Sequence, residues 1–244
     1  NTSIPMKVAL VCVAKNENLY IQEWIDYNLK LGFDDIFIFQ HEWDFEIRHP
    51  QVKTYKIIGE NIQVPTYNQF LKNYEGIYDW AAFFDVDEYL VLKKHDNIKS
   101  FIKDYSMFNN IAINWVLFGD NNIDKFSQSE SSVVSRFTKR QKSINRHIKT
   151  ISKVTYKHNF TTPHNTDSMW VSPENKLGSG PFNPEGKDEV AQINHYFCKT
   201  KIEFEEKIKR GRADTKKGQG IRTWQDFDNH NFNEVEDLSA KNFF

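Results

Sequence analysis

Cysteine is almost missing from this 244-residue sequence, with Cys12 and Cys198 its only two. Two thiols cannot build a disulfide framework or a cysteine zinc site. Both lie in apolar runs and read as buried free thiols, which suits a reducing compartment. No window approaches 18 consecutive apolar residues, so no membrane-spanning helix is read. An excess of either charge is also lacking: Lys+Arg 32 against Asp+Glu 33 leaves a net charge of −1. That disfavours a role in which nucleic-acid backbone is the main partner. The opening residues show no charged segment followed by an apolar stretch and a cleavage site, so no signal peptide is read. Met6 reads as the native start and Asn1–Pro5 as added residues. The sequons at Asn1 and Asn159 then read as chance matches. There is no internal repeat and no low-complexity linker.

Apolar residues make up 39% of the chain and aromatics 15%, with 20 Phe, 10 Tyr and 6 Trp, which excludes disorder. A chain of this length buries about 70–75% of its unfolded surface and needs no staples. One domain over 1–244 is the economical reading. Lys7–Val13 is a continuous β-branched run, as in a buried central strand of a parallel sheet. A helix follows from about Leu19 to Leu31, with Tyr20, Trp24, Tyr27 and Leu31 at helical spacing and Gly32 as its cap. Asp35–Phe39 and Lys53–Ile58 read as strands, Pro65–Tyr74 as a helix and Trp80–Phe84 as a strand. This alternation predicts an α/β fold with a mainly parallel sheet. Ile111–Phe118 and Ser132–Thr138 read as strands around a polar loop, Gly119–Ser131. Residues 157–189 carry His, Asn, Pro and Gly without periodicity, and loops that long are usually functional or mobile. Val190–Phe197 reads as a late strand and Lys201–Arg212 as an amphipathic helix, with Ile202 or Phe204 and Ile208 turned inward.

The strongest local signal is the run from Asp79 through Trp80 to Asp85, Val86, Asp87 and Glu88. An apolar strand leads straight into three carboxylates. Residues i and i+2 of an extended chain share a face, so Asp85 and Asp87 point together. In open α/β sheets ligands bind beyond the C-terminal strand ends. Clustered carboxylates there suit a hard divalent cation and phosphate oxygens. The bland alternative is an acidic turn after a buried strand. His195, between Ile193 and Phe197 on one strand face, reads alone as a satisfied core histidine.

These features recur in an order. Lys15 and Glu17 follow the first strand, and Glu23, Trp24 and Asp26 lie on the first helix. Tyr67-Asn68, Asp79-Trp80 and the Phe84–Tyr89 run come next, then Phe118-Gly119 and Arg136-Phe137. Asn194-His195-Tyr196, Lys199, Glu203, Lys207, Arg210 and Arg212 complete the series. From about Lys7 to Arg212 the order resembles the GT-A glycosyltransferases grouped with family 2 and family 92, which include bacterial surface-polysaccharide enzymes. The resemblance implies a Rossmann-like GT-A fold, a nucleotide-sugar-binding half over 6–118 and an acceptor and diphosphate half over 119–244. It implies a UDP-sugar donor and a divalent metal, manganese or magnesium, on the diphosphate. Carried over, Asp87 binds the metal, Asp85 binds ribose or the metal through water, and Lys15 and Glu17 flank the nucleotide. Many relatives carry a D-N-x-S-x-D-like segment after the second strand. Here Gln40–Asp44 stands in that place, and Asp44 is the substitute.

In this frame His195 becomes a third metal ligand or phosphate donor, and His164 a ligand or an acceptor contact. Lys199 and Arg210, with Arg212, neutralise the departing diphosphate. Inverting transfer needs a base, usually a carboxylate. Asp120 and Asp167 are the candidates, with Glu88 nearer the metal and Asp188 behind them. The expected activity is metal-dependent, inverting transfer of a sugar to a hydroxyl of a glycan or glycolipid. The expected location is cytoplasmic, at the inner face of the membrane with peripheral contact. Two rivals stay open. One is a metal-dependent phosphohydrolase or nuclease using the acidic cluster. The other is a non-catalytic carbohydrate-binding module using Trp43, Trp115, Trp170 and Trp224. Residues 165–187 are expected to be poorly ordered or differently placed without donor.

Overall fold

The computed structural model describes residues 5–244. The sequon at Asn1 and residues 1–4 of the segment expected to be an addition lie outside the described residues. The strands are β1 Val8–Ala14, β2 Asp35–His41, β3 Val52–Ile57, β4 Trp80–Phe83, β5 Glu88–Leu92, β6 Asn110–Leu117, β7 Lys139–Arg140, β8 Ile148–Lys153, β9 Trp170–Val171, β10 Leu177–Gly178, β11 Ala191–His195 and β12 Val235–Glu236. The helices are α1 Ile21–Leu31, α2 Gln63–Asn73, α3 Ile98–Lys103, α4 Val133–Arg136, α5 Lys201–Arg210, α6 Trp224–His230 and α7 Ser239–Phe243.

The result is the expected α/β architecture, Rossmann-like, on a large sheet flanked by helices. Four parallel strands lie in the order β3-β2-β1-β4. β8 runs antiparallel between β4 and β6. β11 then pairs parallel with β6 and antiparallel with β5. All seven residues of β1 are buried because both its faces are covered. Val8, Leu10 and Cys12 pack with Trp24 and Ile25 of α1. Ala9, Val11 and Val13 pack with Tyr67 and Phe70 of α2. Alternate residues of a strand point to opposite faces, and a strand apolar on both faces must be central. α1 also ties itself to β5, since Trp24 Nε1 donates to the Glu88 carbonyl at 3.1 Å and Tyr27 Oη to that of Leu90 at 2.6 Å. It ends at Gly32, whose φ of 104° suits a residue without Cβ.

One expectation changes and one alternative is settled. Ser132–Thr138 is not a strand, since Val133–Arg136 is a helical turn. Val133 and Val134 carry the β-branched signal, but Glu23 of α1 overrides it. Its Oε1 accepts the Val133 N–H at 2.7 Å and its Oε2 the Ser132 hydroxyl at 2.5 Å, capping the turn. Ile202 faces outward and is 49% exposed, while Phe204 is the buried anchor of α5. The segment 165–187 is bonded into the rest of the fold. Trp170 Nε1 donates to the Gly180 carbonyl at 2.9 Å, and Asn114 Nδ2 to the Asn183 carbonyl at 2.9 Å. No helix among the described residues is long and apolar enough to cross a membrane.

α5 is fastened to the rest through Glu203. Arg136 donates to both its carboxylate oxygens, at 2.8 and 2.9 Å, and Tyr20 Oη adds a bond at 2.8 Å. Thr200 and Glu203 form a capping box. Burial opposes the charge, but the bonds from Arg136 and Thr200 outweigh it and hold the carboxyl down at about 2. An unfolded glutamate titrates near about 4.3. The stabilisation, about 2–3 kcal/mol, is therefore complete above that pH and is lost as pH falls toward the folded value. Glu203→Gln is expected to flatten this part of the acid limb in urea unfolding at stepped pH. An unchanged limb would mean that Glu203 is not its source.

Candidate active site

A cleft of ≈ 370 Å³ opens where the parallel strands end. The register Val11↔Phe83 brings the ends of β1 and β4 together, so Ala14–Lys15 and Asp85–Asp87 share one rim. Trp115, His147, His164 and His195 line it as well. Lys207, Arg210, Arg212 and Arg222 line the side formed by α5 and the segment after it.

The acidic run occupies the floor. Asp85 follows β4 and keeps 38% of its side chain exposed. Gln63 Nε2 donates to its Oδ1 at 2.9 Å, and Lys149 Nζ lies 3.7 Å from its Oδ2. Asp87 sits in the turn before β5, with Lys207 Nζ at 2.9 Å and His195 Nε2 at 3.3 Å from one oxygen. Burial opposes its charge, yet Lys207 and His195 outweigh burial and hold the carboxyl well below the usual range. Glu88 is fully buried. Its Oε1 accepts the Asp85 N–H at 2.6 Å, and its Oε2 accepts Trp115 Nε1 at 2.5 Å. Lys149 Nζ, also fully buried, stands 3.1 Å from Glu88. Burial works against the lysine's charge, but Asp85 and Glu88 together raise it above the ordinary lysine range. Burial pulls Lys207 down to about 8 against the attraction of Asp87.

Among the described residues, Asp85, Asp87 and Glu88 offer ligand atoms within 4.8 Å of one another, a set that can hold a metal ion. Hard oxygen donors suit magnesium or manganese. Both Glu88 oxygens already accept hydrogen bonds, so Asp85 and Asp87 are the pair that reaches the cleft. Neither His195 nor His164 belongs to that group. His195 spends Nε2 on Asp87, and His164 Nδ1 lies 2.9 Å from the Ile148 carbonyl.

The other expected residues divide. Lys15 and Glu17 line the cleft, Lys15 paired with Glu42 at 3.1 Å and Glu17 with Arg210 at 3.0 Å. Arg212 grips Asp214 with two bonds, at 2.8 and 2.7 Å. Lys199 is buried 4.1 Å over the Tyr20 ring and does not line the cleft. Asp44 stands outside it, 78% exposed beside Lys56. Asp120 lies away from the cleft, where its Oδ1 accepts from the Asn122 N–H and from Asn233. Asp167 is an exposed loop residue bonded to Asn159, and Asp188 pairs with Arg140 at 2.7 Å. Of the four tryptophans singled out for sugar stacking, Trp115 lines the cleft.

Gln63, His147, Lys149, Arg222 and His230 escaped the sequence reading. Lys149 begins an alternating Lys-Thr-Ile-Ser-Lys run whose polar residues look like an outer strand face. Nothing local separates it from Lys153. His147 and His230 lie near turns, where polar residues are ordinary.

A family model described as Glycosyltransferase family 92 matches residues 63–217, which includes the acidic run, His195 and α5. No curated protein matches the sequence.

Proposed function

The chain belongs to glycosyltransferase family 92, and from that membership we propose that it moves a hexose from a UDP-sugar to a hydroxyl of a glycan or glycolipid, with inversion. The carrying observation is that Asp85 and Asp87 face the same cleft as Lys207, Arg210, Arg212 and Arg222. Carboxylates for a cation and guanidinium and ammonium groups for a diphosphate are the two halves of a nucleotide-sugar site. A divalent cation on Asp85 and Asp87 supplies Lewis acidity to the diphosphate when bound. Lys207 and the arginines offset the charge that grows on UDP as the glycosidic bond breaks. Lys15 and Glu17 border the nucleotide. The acceptor belongs to cell-surface polysaccharide assembly on the cytoplasmic side of a membrane.

Thermal unfolding with UDP, GDP or CMP, each with and without manganese, tests the reading. UDP with manganese is expected to raise Tm by several degrees, because a ligand at 100 times its Kd adds about 2.7 kcal/mol to the folded state. Either partner alone should do much less. A larger rise with GDP or CMP would reject uridine, and an equal rise without manganese would reject the cation.

A further inference from the structure

The attacking hydroxyl must lose a proton, yet every carboxylate at the cleft is already engaged. Glu17 pairs with Arg210, Asp214 with Arg212 and Asp87 with Lys207 and His195. Asp85 is held by Gln63 and Lys149, and Asp226 accepts the Thr223 N–H that caps α6. The imidazoles are different. Asn145 Oδ1 accepts the backbone N–H of His147 at 2.9 Å, so that atom is the amide oxygen. The same oxygen lies 2.8 Å from His147 Nδ1. An oxygen cannot donate, so Nδ1 carries the proton and Nε2 holds a lone pair. Among the described residues no group bonds that Nε2.

The ring is also fixed in place. It stacks on Trp115 with centroids 4.8 Å apart and meets the Phe182 edge at 4.8 Å. Trp115 is anchored by its bond to Glu88 and touches His195 at 4.0 Å on its other side. One indole therefore separates His147 from the His195–Asp87 pair. We propose that His147, oriented by Asn145, is the general base that takes the proton of the acceptor hydroxyl; this rests on the transferase reading above. As the hydroxyl oxygen forms its bond to the anomeric carbon, its proton passes to Nε2. The bond from that carbon to the diphosphate oxygen breaks, and its electron pair leaves with UDP. The imidazolium then returns its proton to solvent.

Burial holds His147 at about 4, so the ring is neutral near pH 7, and its basicity is close to that of a carboxylate. His164 and His230 present the same tautomer, their Nδ1 atoms 2.9 and 2.6 Å from the Ile148 and Asp226 carbonyls, and burial pulls both below the ordinary imidazole range as well. His147 is set apart by geometry, since it alone of the three stacks on Trp115, whereas His164 meets that indole edge-on and His230 stacks on Phe197. A base held by a third group follows the usual logic of oriented proton acceptors.

Two measurements test this. Two-bond proton–nitrogen NMR spectra of the 15N-labelled protein at pH 7 are expected to show His147 neutral with Nδ1 protonated, and Asn145→Ala should mix the tautomers. An Nε2-protonated or charged ring overturns the proposal. UDP release is then followed with manganese from UDP-galactose, UDP-glucose and UDP-N-acetylglucosamine, with water as the attacking hydroxyl and the free sugar as the second product. For a donor that wild type uses, His147→Ala should lower kcat by about 10²–10⁴. Donor KM and the Tm shift with UDP and manganese should hold within about twofold of wild type, and added imidazole should restore part of the rate. Asn145→Ala should lower kcat by about tenfold. An active wild type with an equally active His147→Ala overturns this inference alone. A wild type that releases UDP from none of them removes the UDP-hexose reading, and this inference with it.

Discussion

Asp87→Ala is expected to abolish the Tm rise with UDP and manganese and to lower kcat/KM by at least about 100-fold, the scale of losing one charge-stabilising group in a site. The fold should suffer as well, because Asp87 is the counter-charge of a buried lysine. Lys207 Nζ lies 2.9 Å from the carboxylate and only 3.9 Å over the Phe197 ring. Stranding an ammonium in such a place costs about 3 kcal/mol. For a domain of this size that is about 6–12 °C in Tm. Adding Lys207→Met should recover most of the melting temperature and none of the activity. Calorimetry and UDP release on the single and double variants separate the two effects. An Asp87→Ala protein that turns over donor normally would remove the carboxylate from the cation site.

Lys149→Met is expected to be the most destabilising single change near the cleft. Its ammonium is 1% exposed, and Glu88 beside it is fully buried. Burial already pushes Glu88 up to about 8 against the pull of Lys149, so losing the lysine leaves a carboxyl that is either charged and unpaired or forced to take a proton, at a cost of up to about 3–5 kcal/mol. Asp85 would lose a neighbour too, so donor binding should weaken in parallel. Glu88→Gln combined with Lys149→Met should melt well above Lys149→Met alone, because neither charge then remains. Urea unfolding of all four forms gives the coupling energy. A coupling below about 0.5 kcal/mol would show that the two groups do not support each other.

What the sequence made legible was local. β1, α1, β2, β3 and β4 fall within a few residues of their expected bounds, because an apolar run and a helical stripe are written in consecutive residues. The acidic run was visible for the same reason, with a strand leading into three carboxylates. The illegible parts depend on distant partners. α4 is helical because Glu23, more than a hundred residues earlier, caps it. Lys149 has the alternation of an exposed strand residue and is buried because β8 enters between β4 and β6. Asp120 and Asp167 were the natural carboxylates to nominate as base, but local pattern says nothing of which groups border a cleft. The tautomer of His147 is set by one amide oxygen, a relation that only coordinates display.

β11 has a consequence for how the chain assembles. It inserts between β5 and β6, strands made about a hundred and about eighty residues before it, and it carries His195 to Asp87. As the polypeptide leaves the ribosome, Asp85, Asp87 and Glu88 emerge long before Lys149, His195, Lys207 and the arginines that offset them. The nascent chain thus passes through a stage in which the acidic floor exists without its cationic wall. Pairings of such long sequence separation are slow to form. Arrival of β11, followed by α5, is the event that converts a set of mutually repelling carboxylates into a charge-balanced cleft, so the final fifth of the chain governs when binding competence appears during synthesis.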